Sequence, residues 1–208
     1  MAGNSYWEIF TQSFVNYWNY LVTEISSPAW DNYFYWLIGV SVFFLIWEGL
    51  RPWYKREKIV WQDFSLDAFY MFFNFFLFSL VGYNAVSNVA VKAFNDGLAQ
   101  LGVTNLVAIT INTWPAWTQL LLMFVLRDFI QWNVHRLMHT SPFLWEFHKV
   151  HHSARELGFA THLRFHWMET VAYRTVEYLP LAMIGFGIQE FFLVHIIALV
   201  IGHFNHSN

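Results

Sequence analysis

Long apolar stretches alternate with short polar segments along the chain, and this pattern predicts membrane-spanning helices. The clearest stretch runs from Tyr33 to Leu50 and contains a single charged residue. As a helix it is about 27 Å long, which just spans a hydrocarbon core of about 30 Å. Trp30, Trp36, Trp47 and Trp53 flank it, as in the aromatic belts where lipid meets water.

Four more apolar stretches predict further spans, at residues 66–86, 116–134, 168–187 and 188–206. The last two form a predicted helical hairpin with a turn at residues 185–187, a kink at Pro180 and an ion pair between Arg174 and Glu177. Residues 6–22 mix aromatic and polar side chains, which favours an interfacial helix; a disordered tail is the alternative.

Composition supports an integral membrane protein. Of 208 residues, 57% are hydrophobic, 22% aromatic and only 12% charged, whereas about 25% are charged in ordinary soluble domains. The chain has no Cys, which excludes disulfides, thiolate metal sites and a Cys nucleophile. Nucleic acid is not an expected partner, and the oligomeric state is left open.

The distribution of basic residues predicts the topology. Four lie in the loop after the first span and five in residues 136–174, whereas residues 87–115 contain only Lys92. By the positive-inside rule, the two basic regions are cytoplasmic, while the N-terminus and residues 87–115 are outside. The prediction is an all-α, polytopic transmembrane bundle, with an N-terminal membrane region at 1–115 and a histidine-rich region at 116–208.

The histidines carry the chemical signal. All ten lie after residue 134, and five fall within a short stretch: His135, His139, His148, His151 and His152. His135 and His139 are four apart at the end of the third span, so their Cβ atoms lie about 5–6 Å apart on one helix face. Clustered neutral imidazoles are typical metal ligands, which predicts a metal centre at the cytoplasmic helix ends.

Other polar residues are assigned by their position relative to this cluster. His206, and less strongly His203 and His166, are candidate further ligands, whereas His195 is predicted to be a buried hydrogen-bonding residue and His162 a loop residue. Charges inside a span need a partner or a role. Asp128, Gln131 and Glu169 are therefore candidates to orient a ligand, with structural ion pairs of Arg127 and Asp128 as the alternative.

These motifs resemble a known family. His135-Arg136-Leu137-Met138-His139 and the following LWEFHKVHHSA, residues 144–154, look like the HRxxH and HxxHH boxes of the fatty acid hydroxylase and sterol desaturase superfamily. Asp128, Trp132, the segment 164–166, Glu169 and the segment 206–208 also resemble family positions. The resemblance covers residues 119–208 and implies a membrane oxygenase in which histidines hold two iron ions that activate O2 against a lipid C–H bond.

Two departures accompany the resemblance. Trp167 stands where the family has Pro. The family's third HxxHH box is absent, so the sequence is expected to be a fragment truncated at its C-terminal end. No flavin, dinucleotide or haem-attachment motif is visible, which implies a separate electron-donor protein. The alternatives are a haem-binding membrane protein and a protein that retains the boxes without catalysis.

Overall fold

The computed structural model describes residues 5–55, 60–78, 83–103, 105, 107, 109–111, 113–184 and 188–208. Within these ranges the chain is all-helical and contains no strand, which confirms the predicted fold class at this level. The described α-helices are α1 Tyr6–Ser26, α2 Tyr33–Leu50, α3 Phe64–Phe72, α4 Asn84–Gln100, α5 Ala116–Thr140, α6 Pro142–His148, α7 Trp167–Ile184 and α8 Ile188–His206. A π-helix follows α3 at Phe73–Leu77, and 3-10 helices lie at His151–Ser153 and Phe159–Leu163.

Helix α2 has the bounds of the first predicted span. Among the described helices it is the one that is long and apolar enough to cross a membrane by length and composition, and the shorter segment Phe192–His206 of α8 is also apolar. The multi-pass arrangement and its orientation stay predictions.

Helices α1 and α4 form a pair at the N-terminal side of the fold. Ser5 begins α1 with a capping box, in which its Oγ accepts a hydrogen bond from Glu8 N and its own N–H donates to the Glu8 carboxylate. Asn88 of α4 donates to Ser13 over 3.0 Å, and the Tyr6 hydroxyl donates to Asp96 over 2.9 Å. The predicted interfacial segment is thus helical, and much of the predicted external segment is helix as well.

The predicted span at residues 66–86 is divided between several elements. It contains most of α3, the π-helix and the first residues of α4. Residues 79–82, in its second half, lie outside the described ranges, so a single continuous span stays a prediction. The predicted turn at residues 185–187 also lies outside them. Helices α7 and α8 on either side follow the two predicted stretches closely, and Pro180 lies inside α7.

Helix α5 extends beyond the predicted span and carries the first pair of histidines in its last two turns. It ends at Thr140, after which Ser141 caps α6 by accepting a hydrogen bond from Leu144 N. Pro142 occupies the first turn of α6, where its missing N–H costs nothing. The chain therefore turns at once, and α6 carries His148 back towards α5.

A buried polar clamp fixes the segment that follows α6. Asp67 of α3 is fully buried and accepts hydrogen bonds from Trp61 Nε1 at 2.7 Å and from Thr161 Oγ1 at 2.9 Å. Its other oxygen lies 3.2 Å from Arg164 Nη1. Gly158 is required beside Trp61, because an added Cβ would lie 2.6 Å from the indole ring. The clamp holds the second 3-10 helix against α3.

The buried side of α2 supports the same region. Leu37, Ser41, Phe44 and Glu48 are its buried residues and follow one another at helical spacing. Glu48 Oε1 accepts hydrogen bonds from the amide of Phe159 at 2.8 Å and from that of Asn208 at 2.9 Å. Helix α2 thus holds both the second 3-10 helix and the end of α8.

Candidate metal centre

Four imidazoles from three consecutive elements converge at the end of α5. His135 and His139 stack one turn apart on α5, with their Nε2 atoms 3.1 Å apart. His148 at the end of α6 and His152 in the first 3-10 helix place their Nε2 atoms 3.2 Å from that of His139 and 3.2 Å from each other. One nitrogen from each of the four lies within 4.8 Å of the others. These four residues are called the first histidine group below.

Hydrogen bonds at the opposite ring nitrogens orient two members of this group. His148 Nδ1 lies 2.8 Å from Glu169 Oε2, and because a carboxylate only accepts, Nδ1 donates and Nε2 keeps its lone pair. Both side chains are almost fully buried. The Tyr173 hydroxyl lies 3.4 Å from His135 Nδ1. Such partners set the tautomer and direction of a ligand imidazole.

The geometry of the first group fits one cation. Nitrogens about 2.1 Å from an ion lie about 3.0–3.4 Å from their neighbours, in tetrahedral or octahedral arrangements. Four of the six nitrogen separations within the group, at 3.1 and 3.2 Å, match this range, and the other two do not exceed 4.8 Å. Neutral imidazoles have too few N–H donors for all these contacts to be hydrogen bonds, so a shared cation is the simplest way to satisfy the converging lone pairs.

A second histidine group, consisting of His151, His162, His203 and His206, lies beside the first. The Nε2 atoms of His151 and His206 are 3.4 Å apart. His151 Nδ1 donates to the Arg164 carbonyl at 3.3 Å, and His206 Nδ1 donates to the Gly202 carbonyl at 2.9 Å. Both rings therefore present Nε2 lone pairs to each other, in the same pattern as the first group.

The other two members of the second group are His162 and His203. The sequence analysis predicted His203 as a ligand but not His162. His162, predicted to be a loop residue, lies in the second 3-10 helix with its Nδ1 3.3 Å from His203 Nδ1. Its ring packs against Gly202, where an added Cβ would lie 2.2 Å from the imidazole. His203 is fully buried, and its Nε2 lies 3.2 Å from the Ser41 hydroxyl of α2. No local spacing singles out His162, because its neighbours are contributed by a distant helix.

The two histidine groups are adjacent. The ring centroids of His151 and His148 are 5.5 Å apart, and those of His151 and His152 are 5.1 Å apart. Eight of the ten histidines of the sequence thus lie in one continuous set of imidazoles. Trp145 covers one side, with its ring stacked 5.6 Å from that of His152.

Desolvation lowers the pKa of His151 and His152, which keeps both imidazoles uncharged near neutral pH. Desolvation, with added repulsion from His206 and His148, lowers the pKa of His151 to about 3. Desolvation also lowers the pKa of His152, with added repulsion from His148 and His139. Neutral imidazole is the form that binds a metal, so His151 and His152 can coordinate one at physiological pH.

Three of the predicted site residues lie elsewhere. His166 packs against Phe147 and Trp167, and its Nδ1 accepts a hydrogen bond from the amide of Met168, so the structure does not bring it into either group. Asp128 is exposed, and Gln131 donates to Glu177 over 2.8 Å. Among the described residues, neither Asp128 nor Gln131 contacts an imidazole of the two groups, whereas Glu169 contacts His148.

A separate polar network lies deeper along α5. Arg127 and Glu177 are both buried, with Arg127 Nε 3.8 Å from Glu177 Oε1, and Arg127 Nη2 lies 3.2 Å from His195 Nδ1. His195 therefore makes a hydrogen bond, as predicted. The ion pair predicted between Arg174 and Glu177 is replaced by the pair with Arg127, while Arg174 lies over the Tyr83 ring. Arg127 is eight residues from His135, about 12 Å along the helix.

The imidazole spacing also bears on the haem alternative. A haem needs axial ligands on opposite faces of a wide planar ring. The Nε2 atoms of His139, His148 and His152 lie 3.2 Å apart, which leaves no room for a macrocycle between them. The fold and the site together define a helical protein in which helix ends assemble a histidine-rich centre suited to non-haem metal.

Comparison with known proteins supports the family resemblance of the C-terminal region. Residues 120–208 match the fatty acid hydroxylase family model. Over 97 residues the chain is 32% identical to ornithine lipid hydroxylase OlsE of Rhizobium tropici, a match that covers 47% of this chain and 29% of that protein. No solved structure matches. The C-terminal region thus matches the family that the histidine boxes resemble.

Proposed function

We propose that the intact protein is a membrane-bound, non-haem di-iron oxygenase that hydroxylates a lipid. The observation that carries this proposal is the convergence of the first histidine group, whose four ring nitrogens lie within 4.8 Å of one another. The second histidine group would hold the second iron. The match of residues 120–208 to the fatty acid hydroxylase family model supports the lipid C–H bond as the target.

The donor set suits iron. Imidazole nitrogens bind Fe, Zn and Cu. Non-haem Fe(II) is an established oxygenase metal, whereas Zn has no redox chemistry. When bound, the iron would supply activation of O2 by electron transfer. Zinc is expected to compete for the same donors in a purified preparation.

The residues of the chain contribute binding and orientation. Glu169 holds His148 and thereby directs Nε2 to the first site. The Arg164 and Gly202 carbonyls do the same for His151 and His206. Asp67 holds the Arg164 side chain, and α2 bonds to the second 3-10 helix and to the end of α8. These contacts favour a site whose ligands are oriented before a metal binds.

The substrate is proposed to be a membrane lipid. The similarity to a protein named as an ornithine lipid hydroxylase favours hydroxylation of a polar lipid over sterol desaturation. Fatty acyl chains and related lipids remain within the proposed class. The chain aligns with less than a third of that relative's length. Ornithine lipid is therefore the first candidate substrate to test.

The membrane placement follows from α2 and from the basic residues. Helix α2 supports membrane insertion, and the proposed orientation keeps the N-terminus outside and both histidine groups at the cytoplasmic face. Exposed Arg136, Lys149 and Arg155 surround the groups. We therefore place the docking face of an external electron-donor protein there, with an acidic surface as its expected complement.

Anaerobic iron loading of the full chain tests the proposal. Elemental analysis is expected to show two irons per chain, with a Mössbauer spectrum of nitrogen-ligated high-spin Fe(II). A chemical reductant, isotopically labelled O2 and a bacterial lipid extract are then expected to yield lipids that carry one labelled oxygen atom. The control is the same preparation loaded with zinc.

Three results would contradict the proposal. Iron-loaded protein that leaves every lipid class unchanged would indicate a protein that retains the histidines without catalysis. Loss of two hydrogen atoms without oxygen incorporation would indicate a desaturase. A Soret band in the purified protein would indicate haem.

A further inference from the structure

A half-enclosed apolar cavity lies behind the first histidine group, between α5, α6 and α7. Its volume is about 70 Å³. The apolar side chains that line it are Met138, Leu144, Phe147, Met168, Val171 and Ala172. The remaining lining residue is Glu169, the carboxylate that orients His148.

The cavity and the candidate metal centre share Glu169. Its carboxylate faces the cavity and is also bonded to His148 Nδ1 at 2.8 Å. Met138, which directly precedes His139 in the chain, is fully buried and lines the cavity from α5. On the side of His148, the Glu169 side chain therefore lies between the cavity and the first histidine group.

Among the described residues, the one polar side chain that lines the cavity, Glu169, already has a hydrogen-bond donor at each carboxylate oxygen. Glu169 Oε2 accepts from His148 Nδ1, and Glu169 Oε1 accepts from the His166 amide at 3.3 Å. The other lining side chains are hydrocarbon or thioether. A buried water needs two to four polar partners, so water gains little in this cavity, and an ion gains less.

Its size restricts the occupant further. An apolar cavity of about 150 Å³ binds benzene or xenon, and this one has about half that volume. Its enclosed part therefore suits a diatomic molecule or a single xenon atom. A lipid chain would fit by no more than its terminal carbons.

We propose that this cavity binds dioxygen and delivers it to the metal centre past Glu169. The inference rests on the proposed function, since dioxygen is the one small apolar reactant of that reaction. The cavity places an apolar molecule against Glu169, the residue that orients the ligand His148.

Xenon binding tests the cavity independently of any reaction. Crystals of the full chain under xenon pressure are expected to show one anomalous peak among Met138, Phe147 and Ala172. Ala172→Leu, which fills the space, is expected to remove the peak. Ala90→Leu, at an exposed position of α4, is the matched control and is expected to keep it. Wild-type crystals without a peak in the cavity would overturn the proposal.

Oxygen kinetics test the role of the cavity. Ala172→Leu is expected to raise the KM for O2 at least about threefold while kcat and the KM for lipid stay within about twofold. Xenon is expected to inhibit wild-type turnover competitively with O2, which needs no variant and therefore does not depend on correct folding of Ala172→Leu.

The outcomes separate this proposal from the proposed function. Wild-type protein that never consumes O2 with any lipid would contradict the proposed function, while a xenon peak could still be present. Normal turnover with an unchanged KM for O2 in Ala172→Leu would overturn only the oxygen site. A raised KM for lipid with an unchanged KM for O2 would also overturn it, and would show that a lipid chain occupies the cavity.

Discussion

Glu169 accepts a hydrogen bond from His148 Nδ1 over 2.8 Å, although the two residues are 21 positions apart and lie on different helices. Both side chains are almost completely buried. A buried carboxylate at this position both fixes the imidazole and increases its basicity. The pair thus links the packing of α7 to the direction of a candidate ligand on α6.

Glu169→Gln is expected to weaken metal binding about 10–100-fold, because the amide is a poorer acceptor and holds the ring less firmly. The measurement is titration of the metal-free protein with Fe(II) or Co(II) in competition with a chelator. Glu146→Gln is the control, since Glu146 is exposed and pairs only with Lys149 among the described residues. Equal affinities in the two variants would contradict a role for Glu169 in orienting His148.

His139→Ala is expected to abolish tight metal binding at the first group, because the Nε2 of His139 contacts those of three other members. His166→Ala is the matched control, since the structure places His166 outside both groups. Metal analysis after gel filtration measures the stoichiometry, which is expected to fall in His139→Ala and to stay unchanged in His166→Ala. Full metal content in His139→Ala would argue against the assignment of the first group.

Gly202→Ala is expected to displace His162, because the added Cβ would lie 2.2 Å from its ring. Overpacking of this kind costs about 1–3 kcal/mol, so the apparent melting temperature in detergent is expected to fall, together with occupancy of the second group. Gly39→Ala of α2 is the control. Nothing lies within 4 Å of an added Cβ there, and the substitution is expected to be neutral or stabilising by about 0.5–1 kcal/mol. Similar melting temperatures for the two variants would contradict this packing.

Asp67→Ala is expected to destabilise the fold by about 3–5 kcal/mol, because it leaves Arg164 buried with one of its carboxylate partners removed. Lys92→Ala removes a partly exposed ion pair with Asp96 and is expected to cost no more than about 1 kcal/mol. Thermal unfolding followed by intrinsic Trp fluorescence measures both. A loss of stability in Asp67→Ala no larger than that in Lys92→Ala would show that the clamp on the second 3-10 helix contributes little.

Local spacing made part of the site predictable. Two histidines four apart on a helix must share a face, so the relation between His135 and His139 follows from helix geometry alone. The bounds of α2 and α8 coincide with the predicted apolar stretches for a similar reason, since length and hydropathy are local properties. The family was also recognisable, because its motifs are short and contiguous.

Other site residues depend on contacts between distant segments. Nothing in the local sequence distinguishes His162 from His166 as a ligand. In the described structure His162 contacts another imidazole, that of His203, because Gly202 lets α8 approach it closely. Ser41 and Asp67 gave no signal, because a single hydroxyl or carboxylate in an apolar stretch has no distinctive spacing. Their importance follows from the partners that folding brings to them, His203 and Arg164.

The sequence by itself determined the helical class, the family resemblance and the pairs of histidines that share one turn, since these depend on periodicity and on contiguous motifs. Only the tertiary structure decided that His206 and His203 of α8 meet His151 and His162, and that Glu169 orients His148. The physical reason is that these contacts join residues between 21 and 55 positions apart. Their geometry is set by helix packing and buried hydrogen bonds, which no local pattern in the chain records.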